Sequence, residues 1–187
     1  MTEFRTEDQK KAYIYLVQDN YSRAILSCQL SGERKAIHTF ENLARVKAEY
    51  LLPAGIKECI LLTVDGSENH GELKEWIGAC GNPKINHVIA QVDIHFSNSM
   101  IEAANKQLKY HFLYHKKTND YSGLDKYLTE AILDFNHRPH AVLNGLNPME
   151  VVEGKVYNKE TQNNELSRAK VKSIIENQKV KCCIGSF

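Results

Sequence analysis

Up to Leu30 the apolar positions gather in short β-rich runs separated by polar stretches; beyond it they fall into a wider, helical spacing. Thr2-Glu3-Phe4, Ala12–Val17 and Ala24–Leu30 carry β-branched and aromatic residues, which suit a pleated surface, so they read as strands. The polar turn Asp19-Asn20-Tyr21-Ser22-Arg23 joins the second to the third as a hairpin, predicting a three-stranded antiparallel start. With Ser31 as a cap, Ala36, Ile37, Phe40, Leu43, Ala44 and Val46 recur near the helical period until Pro53 stops them. The apolar run Cys59–Val64 predicts a buried strand with Asp65 at its C-terminal tip. A helix near Glu72–Ala79, ended by Gly81-Asn82-Pro83, and a short strand Ile85–Ala90 follow.

From Asn98 to Lys109 the chain is amphipathic. Ile101, Ala104, Leu108 and Phe112 share one helical face, and Glu102, Lys106 and Lys109 share a neighbouring one. A further amphipathic helix is read from Leu124, Tyr127, Leu128, Ala131, Ile132 and Phe135, and it stops before Pro139. Residues 153–187 differ in character: a polar stretch from Gly154 to Asn164 leads to a helix over Glu165–Asn177 with a thin apolar stripe at 166, 171, 174 and 175. That stripe suits docking on the chain's own core, or pairing with another subunit. The expected division is a core over 1–152 and an extension over 153–187.

A chain of 187 residues with 42% hydrophobic content suits one compact domain with an appendage. No run approaches the roughly 20 apolar residues of a membrane span, and the start Met1-Thr2-Glu3-Phe4-Arg5 lacks a signal-peptide core. No membrane partner and a cytoplasmic location are therefore the expectation. The five cysteines, at 28, 59, 80, 182 and 183, form no Cys-x-x-Cys pair and are odd in number, which speaks against a disulfide framework and a zinc cluster. The net charge of +1 hides an uneven spread: 11 Lys/Arg against 14 Asp/Glu over 1–102, and 13 against 9 over 103–187. Acidic groups gather where a cation would sit and basic groups where phosphates would lie, although ordinary surface variation would produce the same imbalance.

The chemistry worth weighing is a strand-tip aspartate, Asp65, beside a helical glutamate, Glu102. Magnesium takes hard oxygen ligands in octahedral geometry and leaves room for water and phosphate oxygens. Two such ions about 4 Å apart serve both the attacking and the leaving oxygen of a phosphodiester. A site of that kind normally has a third carboxylate, and none is evident. Asp8 lies in the charged turn Thr6-Glu7-Asp8-Gln9-Lys10-Lys11, and Asp19 lies in the hairpin turn.

Four segments in order, Tyr13–Arg23, Thr63–Asn69, Asn98–Glu102 and Phe135–His140 with Gly145-Leu146-Asn147-Pro148, resemble the DDE transposase and retroviral-type integrase catalytic core, above all that of bacterial insertion-sequence transposases. The resemblance runs from residue 2 to about 152. It implies an α/β RNase H-like fold with a mixed central sheet, flanking helices and a C-terminal helical extension, an order the predicted elements share. It implies catalytic, metal-binding roles for Asp65 and Glu102, and a first aspartate just before Met1 or at Met1 itself, so that activity of this chain would be impaired. It further implies two Mg2+ or Mn2+ ions in an intact site, used for end cleavage by water and then strand transfer by a DNA 3′-hydroxyl. The expected partners are DNA, as transposon ends and target, and further copies of the chain.

Each residue also has a plain structural reading. Asp65 could cap the turn that Asp-Gly favours. Glu102 and Lys106 could be a solvated i, i+4 pair contributing about 0.2–0.5 kcal/mol, where the functional reading puts Lys106 and Lys109 on DNA phosphates. Asn98 could bind a backbone or a metal-bound water, or cap its helix. Lys116, with His111, His115 and Lys117, forms a basic strip interleaved with Tyr110, Phe112 and Tyr114, aromatics read as core before groove. Arg138 ends a helix in a segment that the resemblance makes DNA-contacting. His70 and His95 read as surface histidines, and Asp93–Ser97 matches a loop preceding the catalytic helix. The competing function is an inactive remnant that binds DNA or associates with an intact transposase. A nuclease acting on RNA-DNA hybrids is a third, disfavoured by Asn136-His137-Arg138-Pro139.

Overall fold

The computed structural model describes residues 1–66, 69, 71–90, 98–116, 120–156 and the helical positions 164, 167, 168, 171, 172 and 175. Strands β1 (Thr2–Arg5), β2 (Lys11–Gln18) and β3 (Ile25–Ser31) form the predicted antiparallel sheet in that order. Phe4 stands opposite Ala12, and Leu16 opposite Cys28. With a side-chain period of two, Ala12, Ile14 and Leu16 of β2 share one face, and Tyr13 and Tyr15 share the other.

Helix α1 (Ala36–Val46) covers the Tyr15 face and continues into a π-helical turn over Lys47–Leu51. Buried Asn42 ties it down, donating to the Tyr15 carbonyl at 2.9 Å and accepting from the Ser27 hydroxyl at 2.5 Å. Ser31 does not cap this helix. It is the last residue of β3, and its hydroxyl accepts from the Glu33 N–H at 3.0 Å, while Lys35 occupies the cap position with no side-chain bond. The Ser31–Lys35 stretch is spent in leaving the sheet.

Helices α3 (Ser99–His111) and α4 (Tyr121–His137) cover the other face. Phe4, Ala12, Ile14 and Ile25 from the sheet meet Ala104, Leu108, Leu124, Leu128, Ala131 and Phe135 from the helices in one buried cluster. Asp120 caps α4 by accepting from the Gly123 N–H at 2.8 Å. At the far end, buried Asn136 behaves as a strand partner: its side-chain amide accepts from the Ile25 N–H and donates to the Ile25 carbonyl, both at 2.9 Å. Helix α5 (Pro148–Val152) starts with a capping box between Asn147 and Glu150. Asn144 and Gly145, at φ of 55° and 83°, make the left-handed turn before it. The Asn136–His140 and Gly145–Pro148 segments thus have structural duties of their own.

Strand β4 (Glu58–Thr63), helix α2 (Glu72–Ala79) and strand β5 (Lys84–Ile89) form a separate parallel pair with one helix, α2 packing on α1 and β5. The expected mixed sheet is therefore present as two ladders, one antiparallel and one parallel. The prediction that β4 is a buried strand is overturned: none of its residues is fully buried, and Ile60 is 72% exposed. Its edge away from β5 pairs with no described strand, and one face is uncovered. Of the C-terminal stripe, Val171 and Ile175 are exposed, and positions 166 and 174 lie outside the described residues.

Candidate active site

Asp65 follows β4 by two residues, in a bend where the Gly66 N–H reaches the Val64 carbonyl at 2.9 Å. Asn69 secures this bend from inside. Its buried side-chain amide donates to the same Val64 carbonyl at 2.9 Å, and its N–H to the Gly66 carbonyl at 2.8 Å. The Asp65 side chain is left on an exposed residue. Glu102 is exposed in the first turn of α3, where a carboxylate complements the partial positive charge of the helix start.

The two elements meet at a cleft of about 270 Å³. Val64, the neighbour of Asp65, and Ile101, the neighbour of Glu102, both line it, together with Asn69 and Asn98. Each carboxylate is thus one residue removed from a common wall. Asn98 sits at the N-cap of α3 but makes no side-chain capping bond, which leaves its amide available to the cleft.

Other acids are engaged elsewhere. Asp19 lines the same cleft, yet its Oδ2 accepts from the Ser22 N–H at 2.8 Å in the hairpin turn. Hydrogen bonds from Lys10, whose ammonium lies at 2.8 Å, and from the Thr6 hydroxyl hold the exposed Asp8 carboxyl down to about 2. Among the described residues no group of three or more His, Cys, Asp or Glu side chains is placed to hold a metal ion. Within a residue of the cleft wall stand the carboxylates of Asp65 and Glu102, and on it the side-chain amides of Asn69 and Asn98, oxygen-bearing groups of the type a hard cation takes.

The basic residues divide. Lys106 is exposed on α3, one turn beyond Glu102. Lys109 is half-buried; burial pulls its ammonium below the usual lysine range, and Glu3 on β1 pulls the other way. Lys116 lies over the Tyr127 ring at 5.5 Å. Arg138 is held by Asp134 at 2.5 Å and stacks over Phe112 at 5.4 Å, so its first duty is to close the end of α4. Tyr110 and Tyr114 are exposed, 60% and 55%, and edge against each other, which overturns their reading as core; only Phe112 of that trio is half-buried. Glu68, His70, the Asp93–Ser97 segment with His95, and Lys117 lie outside the described residues. Asn69, a polar neighbour that from sequence could fix Asp65 or touch DNA, fixes the bend that carries it.

No family model matches the sequence, and no curated protein matches it. The fold has clear counterparts among solved structures. A chain of the simian T-cell lymphotropic virus intasome, in complex with PP2A regulatory subunit B56 gamma, superposes with a TM-score of 0.62 at 16% identity over 82% of this chain. This chain spans about half of that one, 52%. The catalytic core domain of BIV integrase gives 0.60 at 15% identity, covering 89% of this chain and 95% of that one. The HTLV-2 integrase catalytic core domain in complex with magnesium gives 0.58 at 17%, covering 80% and 90%. The architecture is the RNase H-like α/β fold of integrase catalytic cores.

Proposed function

We propose that residues 1–152 form a catalytic core for DNA integration by phosphoryl transfer, with 153–187 as an extension. The observation that carries this is the placement of Asp65 at the end of β4 and Glu102 at the start of α3, both beside one cleft, within an integrase-core fold. The HTLV-2 core, which shares this fold, is complexed with magnesium. Assignment to the bacterial insertion-sequence transposases rests on the sequence motifs alone.

A divalent cation bound here would draw charge from the scissile phosphate and acidify the attacking hydroxyl. The two carboxylates would hold it. Asn98, free of capping, would hydrogen-bond a phosphate oxygen or a water at the cleft. Lys106 would contact the DNA backbone next to the reacting phosphate, and Lys109 would do so after shedding part of its burial. Such contacts position a duplex without reading its sequence. Lys116 and Arg138 would add charge only at the periphery, because both already lie over aromatic rings. Copies of the chain would assemble on the two DNA ends.

The alternative, a DNA-binding remnant or a modulator of an intact transposase, is favoured by the lack of a third acidic ligand among the described residues. Mn2+ titration and a strand-transfer assay on oligonucleotide ends separate the two. Asp65→Asn and Glu102→Gln should each weaken Mn2+ binding at least about tenfold, some 1.4 kcal/mol, with unchanged circular dichroism. They should abolish whatever strand transfer the parent shows. Mn2+ affinity untouched by either substitution would remove the catalytic reading and leave the remnant.

A further inference from the structure

We infer that His38, Glu41 and Gln29 form a site for a divalent transition-metal ion of the zinc class, fastening the start of α1 to β3. None of the three lines the cleft beside Asp65 and Glu102, and the site does not depend on the catalytic reading. His38 and Glu41 lie three residues apart on α1, a spacing that puts both side chains on one helical face. That face meets β3, where Gln29 and Ser31 stand on the same side of the strand. The His38 ring is held from several directions. It packs at a tilt on Tyr15, with centroids 5.4 Å apart. The Gln29 amide nitrogen stands 3.1 Å from Nδ1, and an amide N–H only donates, so Nδ1 offers a lone pair and the ring proton sits on Nε2. Nε2 then donates to the hydroxyl of buried Ser31 at 2.8 Å, and the Glu33 N–H fixes that hydroxyl at 3.0 Å. A histidine that binds a metal gives its other ring N–H to such an acceptor, which sets the tautomer and aims the free nitrogen.

The distances suit a single ion. Nδ1 of His38 and Oε2 of Glu41 are 3.7 Å apart, too far for a hydrogen bond, and the Gln29 amide nitrogen bridges them at 3.1 and 2.7 Å. Three atoms so spaced all lie about 2.1 Å from a common point, the ordinary length of a zinc–nitrogen or zinc–oxygen bond. A half-turn of the Gln29 amide puts its oxygen where the nitrogen stands. That oxygen is buried and has no hydrogen-bond donor among the described residues, so an ion would give it the partner it lacks. The Glu41 side chain is 47% exposed and that of His38 20%, which leaves a solvent side for water to complete the shell. One imidazole nitrogen beside a carboxylate and an amide oxygen favours Zn2+ over Mg2+, which prefers oxygen ligands alone.

The test is a Zn2+ titration of the 15N-labelled full chain, followed by NMR at the histidine ring nitrogens, with Mg2+ as the control. Zinc should shift the Nδ1 signal of His38 and leave Nε2 protonated, and magnesium should move neither. Glu41→Gln should weaken the zinc affinity read at His38 at least about tenfold. Gln29→Glu, which sets a carboxylate where the amide stands, should tighten it by a similar factor. Should two adjacent carboxylates prevent that variant from folding, the parent titration and Glu41→Gln decide. Asp65→Asn should leave the signal and its midpoint as they are, so failure of the cleft to bind a cation and failure of this site are read separately. A His38 ring unmoved by zinc, a shift that begins at Nε2, an equal response to magnesium, or an affinity indifferent to Glu41→Gln would each overturn the site. Loss of the His38 shift in Asp65→Asn would do so as well, by placing the ion in the cleft.

Discussion

The two ladders of this molecule use similar residues to opposite effect. On β2 and β3 the apolar side chains are covered on both faces, by α1 on one side and by α3 and α4 on the other, and Ile14, Leu124 and Leu128 are 2% exposed or less. On β4 and β5 an equally apolar run leaves Ile60, Val88 and Ile89 exposed, and Val64 just past β4 as well. Parallel pairs are ordinarily buried on both sides, so the second ladder holds more apolar surface than it covers. Burial is decided by what neighbours a strand, and composition alone does not supply neighbours. The carboxylate at Asp65 hangs from the less supported half, and Glu102 from a helix of the better supported one. Any chemistry between them depends on how firmly the first half is held to the second.

The largest expected effect tests this division directly. Leu128→Ala removes a fully buried side chain from the α3–α4 cluster and should lower stability by about 2–5 kcal/mol in urea denaturation. Leu62→Ala, on the half-exposed β4, should cost about 1 kcal/mol. Comparable losses at the two sites would show that β4 is as well packed as the first sheet.

Next in size is Asn136→Ala, which should cost about 1–3 kcal/mol, because it strips the buried Ile25 N–H and carbonyl of their partners at once. A loss below about 0.5 kcal/mol, measured the same way, would mean that water replaces the amide and that the end of α4 does not pin β3.

Much of this arrangement was legible in the chain. The helix over Glu72–Ala79 has the bounds its pattern suggests, and the three antiparallel strands fall within one or two residues of theirs, because β-rich runs and turn residues are local signals. Asp65 and Glu102 were singled out by local context, a carboxylate after an apolar run and another on the polar face of an amphipathic helix, and the structure sets each next to a residue that lines one cleft. What local pattern could not carry was partnership. Ser31 looks like a cap until β3 claims it, Arg138 carries an ion pair with Asp134 and a ring contact with Phe112 that its helix-end position did not announce, and the Cys59–Val64 run looks buried until its neighbours are counted. Asn136 shows the reverse case, a motif residue whose function is a bond to a strand 111 positions away.

Two cysteines sharpen the comparison through their acidity. Burial, with a smaller push from Asp125, raises the Cys28 thiol to about 12, while Arg45 opposes it. Cys59, on β4, is also raised, first by its lesser burial. A thiol whose folded pKa is elevated keeps its proton in the native state while the unfolded chain loses it. Cys28 therefore has no effect on stability below the ordinary thiol pKa of about 8.5 and favours unfolding as pH climbs from there towards 12. The urea midpoint of the parent should fall across that window, and that of Cys28→Ala should fall less. Iodoacetamide mapping at pH 8 should modify Cys59 well before Cys28, since the thiolate is the reactive form. Equal labelling would place both strands in equally open surroundings.

The smallest effect is the most pointed. Ile60 is the largest apolar side chain left bare on β4, at 72% exposed, and replacing it with Thr keeps the β-branch that the strand backbone favours. In the chain as it stands, little apolar contact is lost and the substitution should stay within about 0.5 kcal/mol of neutral. It should also raise solubility, because Ile60 and Val88 stand exposed on neighbouring strands, and exposed apolar surface draws molecules together. If the face is instead covered in solution by a second copy, Ile60→Thr would both destabilise the fold and shift the sedimentation profile toward monomer. Near-neutral stability with unchanged sedimentation would leave the bare face a property of the single chain, and the contrast between its two ladders intrinsic to the fold.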